Sequence, residues 1–169
     1  MQTIQEDMRR FREQLRLGAI PQAYRALLSY MMDLRTRFGR AHPGWSITAL
    51  YQGYMDMTYF AVVPPSLKQR HLKVAIVFNY EAFRFEAWLA ATNRQVQRQY
   101  HALFSSGRWD GDRVTTPATG VDSIVERTLV EDVDFGDSDS LTAQIEANAF
   151  RFIDDVERFL ADEDRARRT

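Results

Sequence analysis

The chain contains no cysteine and only three histidines in 169 residues. The lack of cysteine excludes disulfide bonds, thiolate nucleophiles and cysteine-based zinc sites, and it is compatible with a reducing cytoplasm, which we take as the expected location. The histidines, His42, His71 and His101, are too widely spaced for a metal-binding motif. We therefore expect no metal site built on histidine.

Long apolar runs and catalytic signatures are absent as well. No segment approaches the ~20 apolar residues that span a bilayer, and the charged N-terminus lacks the apolar run of a secretory signal, so we expect neither membrane insertion nor export. The sequence has no G-x-S-x-G elbow, P-loop or G-x-G-x-x-G stretch. The usual signatures of acyl transfer, nucleoside triphosphate use and dinucleotide binding are therefore missing, and we predict no cofactor.

The overall composition is typical of one globular domain. Hydrophobic residues make up 45% and charged residues 27% of the sequence. A chain of 169 residues can bury one sizeable core but is short for two ordinary domains. We predict a single domain over residues 1–169, with a helical N-terminal part over 1–40 and a frayed tail over 165–169.

The net charge of −1 hides an uneven distribution. Residues 1–120 carry 16 Lys and Arg against 9 Asp and Glu, whereas residues 121–164 carry 3 against 14. A basic region can attract phosphate, but no nucleic-acid-binding motif accompanies it. We interpret the two regions as mutually complementary or as two solvated faces, and we do not expect nucleic acid as a partner.

Apolar side chains at helical spacing predict three amphipathic helices. The first covers residues 4–15 and ends at Gly18, the second covers 21–38, and the last covers 141–159. A capping box that starts at Thr92 predicts a further helix between the strands described next.

Aromatic and β-branched residues predict four strands. Residues 47–63 form the first, residues 72–90 form a hairpin around a short polar turn, and residues 123–130 form the fourth. Three consecutive strands most simply pair as an antiparallel meander. We predict an α+β fold, with a mostly antiparallel four-stranded sheet, helices packed on one face and the element order ααβββαβα.

The second strand of the hairpin presents polar residues on one of its two faces. Arg84, Glu86 and Trp88 alternate with apolar residues and so point away from the core. If Tyr54 and Asp56 share a face of the first strand, a matching register sets Asp56 beside Arg84 and Glu86. One interpretation is a ligand cleft in which Arg84 pairs an anionic group and Trp88 stacks on a ring. The other is an ion pair on a solvated surface.

Five stretches carry a resemblance to a family of uncharacterised bacterial proteins: 53–60, 72–79, 83–90, 93–94 and 120–126. The resemblance extends from about residue 45 to 160 and implies a small stand-alone domain of unknown function. It supplies no substrate, cofactor or catalytic residue.

Two functions remain open on these observations. We expect a non-catalytic module that binds a small anionic or aromatic ligand, or a protein partner, on the open sheet face around Tyr54, Asp56, Arg84, Glu86 and Trp88; a homodimer through that face fits the same residues. The alternative is a divalent-metal-dependent hydrolase or nuclease that uses Asp56 and Glu86. Trp88 stands where such nucleases carry a lysine, and Arg84 is a candidate to supply the missing charge from the same strand face.

Overall fold

The computed structural model describes residues 2–169, which form five helices and six strands. The helices are α1 (Ile4–Leu17), α2 (Ala19–Ala41), α3 (Pro65–Lys68), α4 (Arg94–Phe104) and α5 (Ser138–Arg168). The strands are β1 (Ser46–Ile47), β2 (Met57–Val63), β3 (Leu72–Asn79), β4 (Arg84–Ala91), β5 (Arg113–Val114) and β6 (Ser123–Val130). None of the helices in this part of the chain is long and apolar enough to cross a membrane.

All six strands belong to one antiparallel sheet, in the order β1-β2-β3-β4-β6-β5. Strands β2, β3 and β4 form the predicted meander, and β6 pairs with β4 after the chain has passed through α4. The α+β class and the antiparallel sheet are confirmed. The predicted number of strands and the predicted element order are wrong. The sheet has six strands instead of four, and the element order is ααββαββαββα instead of ααβββαβα.

The missed elements are short or interrupted. The expected first strand over 47–63 is broken, because Gly53 and Met55 have φ angles of +74° and +61°, which an extended strand does not contain. Strands β1 and β5 have two residues each, too few to show an alternating pattern. Only their pairing with a longer neighbour makes them part of the sheet.

Helices α2 and α5 pack on one face of the sheet. The ring of Phe38 in α2 lies 5.6 Å from that of Phe60 in β2 and 5.2 Å from that of Phe150 in α5. Tyr30 in α2 contacts Phe85 in β4 at 5.9 Å. The buried rings of Phe38, Phe60 and Phe85 belong to the hydrophobic core between the helices and the sheet. Burying apolar surface stabilises the fold by about 25 cal/mol per Å².

One charged side chain lies on the helix-covered face of β6. Arg127 stands opposite Ala87 of β4, and its guanidinium lies 5.1 Å from the centre of the Phe152 ring. Burial lowers the pKa of Arg127, but hydrogen bonds to Asp112 and Asp155 outweigh it, so the pKa is raised overall. These ion pairs, at 2.8 and 2.7 Å, tie the loop before β5 and helix α5 to the sheet.

The helices begin and end at residues that favour helix caps, within a few residues of the predicted positions. Helix α1 has a capping box at Thr3 and ends at Gly18, whose φ of 84° only glycine adopts at little cost. The cap of α4 is Asn93, one residue after the predicted Thr92. Helix α5 continues to Arg168, through most of the tail that we expected to be frayed.

Candidate functional site

The sheet face opposite α2 and α5 is here called the open sheet face. Strand pairing arranges its side chains in rows that cross the sheet. Two of these rows contain Tyr59, Val77, Glu86 and Thr128, and Ala61, Ala75, Trp88 and Glu126. The first row carries the carboxylate of the predicted site, and the second carries its tryptophan beside two alanines.

Arg84, Glu86 and Trp88 form one hydrogen-bonded cluster. Glu86 is only 4% exposed; its Oε1 accepts from Arg84 Nε at 2.8 Å and its Oε2 accepts from Trp88 Nε1 at 2.7 Å. Arg84 also pairs with the exposed Glu131 at 3.0 Å. The hydrogen bond to Glu86 raises the pKa of Arg84, and Glu131 adds to it. The charges of Arg84 and Glu86 are thus paired with each other and with Glu131. The hydrogen bond that Trp88 donates to Glu86 holds the indole ring in place.

Asp56 and Tyr54 do not join this cluster. Both lie in the loop before β2, where the Asp56 carboxylate accepts the N–H groups of Tyr54 at 2.9 Å and Met57 at 2.7 Å. These hydrogen bonds lower the pKa of Asp56, and its carboxylate stabilises its own turn. The Tyr54 side chain is 89% exposed. Asp56 reaches the open sheet face only at its end, where it lines a shallow depression that Trp88 also borders.

A cleft of about 320 Å³ lies against Trp88 on the open sheet face. Ala75 and Ala90 form its floor, and the rings of Tyr59 and Trp88 stand beside them. Burial raises the pKa of Tyr59, as expected for a phenol that is partly removed from water. We call this site the alanine cleft, because its small floor residues create the space between two large rings.

Polar side chains line the rest of the alanine cleft. Lys73 of β3 and Arg94 of α4 contribute positive charge, and Arg94 pairs with Asp122 at 3.5 Å. Lys73 makes no ion pair within residues 2–169. The first turn of α4 also lines the cleft, and a helix N-terminus carries a partial positive charge. The cleft thus combines aromatic walls with positive charge.

Sequence reasoning identified Trp88 but missed most of this cleft. The signal for Lys73 and Ala75 was available, because both alternate with buried residues of β3 and so share a face. No sequence pattern indicates that this face meets Trp88 or that Arg94 lies at its edge. Both facts depend on strand register and on the placement of α4.

The match to a family model covers nearly all of this architecture. A model described as a domain of unknown function, DUF7000, matches residues 4–160. The chain belongs to the DUF7000 family. The match begins at the first residue of α1 and ends within α5, so the DUF7000 domain includes both α1 and the open sheet face. No curated protein and no solved structure matches the chain.

The metal-dependent alternative gains no support from the arrangement of carboxylates. Within the part of the DUF7000 domain that the structure describes, no group of three or more His, Asp or Glu side chains is placed to hold a metal ion. Glu86 is engaged by Arg84 and Trp88, and Asp56 by its own turn. The two carboxylates named for a nuclease therefore serve separate structural roles.

Proposed function

We propose that this domain is a binding module whose alanine cleft takes a small ligand with an aromatic ring and a negative charge. The observation that carries the proposal is the small floor of Ala75 and Ala90 beside the rings of Tyr59 and Trp88, with Lys73 opposite Ala90. A flat ring fits over small side chains and contacts large ones, while its anionic group pairs with lysine.

The fixed position of Trp88 supports aromatic recognition. Its indole N–H is held by Glu86, and Glu86 is in turn held by Arg84. A ring that is already ordered loses little conformational entropy when a ligand binds, so stacking contributes more to affinity. In this proposal Arg84 and Glu86 are positioning residues, and Trp88 contacts the ligand.

The charges at the cleft support an anionic group on the ligand. Lys73 has no ion-pair partner within residues 2–169. The contact between Arg94 and Asp122 is long, at 3.5 Å, and exposed. Exposed pairs of this kind contribute at most about 1 kcal/mol. A ligand carboxylate or phosphate can therefore replace Asp122 as the partner of Arg94 at little cost.

Binding fits the cleft better than catalysis. The residues that line the cleft include one carboxylate, Asp122, and no histidine. General acid–base chemistry needs a positioned proton donor and acceptor, and the one carboxylate of the alanine cleft is paired with Arg94.

The first test is thermal unfolding with a matched panel of ligands: aromatic carboxylates, aromatic phosphates, uncharged aromatics and inorganic phosphate. A ligand at 100 times its Kd stabilises the native state by about 2.7 kcal/mol, which raises Tm by roughly 5–11 °C in a chain of this size. We expect this shift only for compounds that carry both a ring and a charge. If inorganic phosphate alone raised Tm by the same amount, the ligand would not need an aromatic ring, and this part of the proposal would be wrong.

Variants of matched pairs of residues show whether the ligand binds in the alanine cleft. Arg94→Gln should weaken binding, whereas Arg98→Gln, one turn further along α4 and outside the cleft lining, should not. Trp88→Ala should remove most of the shift through loss of stacking. If Arg94→Gln and Arg98→Gln weaken binding equally, the anion is attracted by the basic helix face and does not occupy the cleft.

The two lysines of the chain, Lys68 and Lys73, allow a direct readout. Reductive methylation with ¹³C-formaldehyde labels both side chains and the N-terminal amine, and a Lys68→Arg variant assigns the signals. A ligand in the alanine cleft should move the Lys73 resonance and leave that of Lys68, which lies on α3, in place. Movement of neither resonance by a compound that raises Tm would place its binding site elsewhere.

A further inference from the structure

Helix α1 presents an apolar stripe that is largely exposed in the part of the chain that the structure describes. Ile4, Met8, Phe11 and Leu15 lie on one side of the helix and are between 41% and 77% exposed, and no residue of α1 is buried. The helix is well formed, with caps at both ends. Monomeric proteins seldom leave such a continuous apolar stripe in water, so the stripe indicates a partner.

A second unfilled apolar surface begins next to α1. A groove of about 460 Å³ runs from Ile20 along α2 to the end of the sheet. Its lining is aromatic and aliphatic and includes Tyr24, Leu27, Phe78, Phe83 and Phe135. We call it the apolar groove. An amphipathic helix in an apolar groove is a common mode of protein recognition.

Two residues on the rim of the apolar groove have an unfavourable backbone conformation. Met55 and Phe83 have φ angles of +61° and +52°, in the left-handed region that bulky side chains avoid. Asp56 holds the turn that carries Met55, and Asn79 accepts an N–H in the turn that carries Phe83. Such strain persists only where the surrounding structure imposes it, and it clusters at binding sites. Here it keeps two apolar side chains exposed beside the groove.

The charges beside the two surfaces are complementary. Arg9, Arg12 and Arg16 follow one flank of the apolar stripe, and none of them makes an ion pair within residues 2–169. Residues 131–137, the loop that carries Phe135 into the groove, hold four carboxylates. Opposite charges at the rim favour the correct encounter of two surfaces.

From these observations we infer that two copies of the chain exchange their first helices, so that the stripe of each α1 fills the apolar groove of the other copy. The basic flank of α1 then faces the acidic loop at residues 131–137. Such a contact is isologous, because the same helix and the same groove are used by both copies. The α1 helix is about 21 Å long at 1.5 Å per residue, and the contact is made twice.

The junction between the helices favours exchange over closure within one chain. Gly18 is the single residue between α1 and α2; its N–H bonds to Leu15 O, and its carbonyl accepts from Gln22. With no linker, α1 cannot turn back onto its own groove while these bonds persist. The stripe is therefore free to meet the groove of another copy, which starts at Ile20.

The mass of the full chain in solution, measured by light scattering over a wide concentration range, tests this inference. We expect a dimer of twice 19.7 kDa that dissociates on dilution. Phe11→Glu places a charge in the stripe and should raise the dimer Kd at least about thirtyfold, the size of an interface hot spot. Leu17→Glu makes the same change on the other side of α1 and should alter the Kd less than about threefold. Both positions are exposed, so both variants should fold.

A mixing experiment separates helix exchange from other dimers. Ala26→Glu places a charge in the apolar groove without changing α1, and it should raise the dimer Kd by a similar factor. When the Phe11→Glu and Ala26→Glu chains are mixed, one intact helix meets one intact groove, and part of the dimer should return. A wild-type mass of 19.7 kDa at every concentration, a dimer equally sensitive to Phe11→Glu and Leu17→Glu, or no recovery on mixing would each overturn the inference. So would a monomer that binds phosphatidylglycerol vesicles through the same stripe, because the occupant is then lipid.

Discussion

Replacement of Glu86 measures how much the cluster on the open sheet face contributes to stability. Glu86→Ala removes the acceptor for both Arg84 Nε and Trp88 Nε1. Glu86→Gln keeps the shape and one acceptor oxygen but removes the charge. Glu131→Gln is the matched control, since Glu131 contacts the same arginine from an exposed position.

The expected magnitudes follow from burial. A hydrogen bond to a charged group contributes about 1.5–3 kcal/mol, and Glu86 accepts two close ones. Arg84 is partly exposed and keeps Glu131, so it recovers part of its loss through water and that carboxylate. We therefore expect Glu86→Ala to lower the free energy of unfolding by about 2–3 kcal/mol and Tm by roughly 4–12 °C. Glu86→Gln should cost about 1 kcal/mol, and Glu131→Gln less than about 0.5 kcal/mol.

Urea unfolding followed by tryptophan fluorescence is the assay. The midpoint should fall while the m value stays constant, because the variants change stability without changing the surface exposed on unfolding. If the free energy of unfolding of Glu86→Ala lies within about 0.5 kcal/mol of wild type, the cluster does not stabilise the fold. The same holds if the exposed Glu131→Gln lowers this free energy as much as Glu86→Gln does.

Three further predictions concern other parts of the fold. Arg127→Met leaves its two aspartate partners close together without their cation, so we expect a loss of about 2–3 kcal/mol in urea unfolding; a loss under about 0.5 kcal/mol would show that water replaces the arginine. Gly53→Ala places a Cβ 1.9 Å from a backbone carbonyl oxygen, whereas Gly107, also at positive φ, has open space around it. In thermal unfolding, Gly107→Ala should therefore cost about 1 kcal/mol and Gly53→Ala clearly more. Equal losses of stability would show that the backbone at Gly53 is not crowded. The hydrogen bond from Arg70 lowers the pKa of Asp164, so its stabilising effect is complete above the unfolded pKa of about 3.9 and disappears as pH falls through the lower folded value. Asp164→Asn should therefore lose less stability than wild type on acidification below about pH 4, and identical acid profiles would count against this.

The hairpin shows what alternation in a sequence can predict. The faces of β4 were predicted correctly, since Arg84, Glu86 and Trp88 share the face away from the core and contact one another. Residues two apart in a strand must point to the same side. This part of the candidate site required no knowledge of the rest of the fold.

Asp56 shows where the same reasoning fails. Aromatic and β-branched residues around it are typical of a strand, and a strand would have placed Asp56 on the face of Arg84. The chain instead turns at Gly53 and Met55, and the Asp56 carboxylate caps that turn. A local hydrogen bond between a short acidic side chain and nearby N–H groups can compete with sheet pairing, and composition alone does not show which one prevails.

Local sequence patterns are enough to predict the α+β class, the hairpin, the main helices and the polar face of β4, because these depend on periodicity and on contacts between residues close in the chain. Tertiary structure alone decided the six-strand order, the alanine cleft and the apolar groove. Each of these joins elements far apart in sequence: Tyr59 meets Trp88 through strand register, and Phe135 meets α2 through packing. Register and packing are set by the sum of many weak contacts over the whole molecule, and no local pattern records that sum.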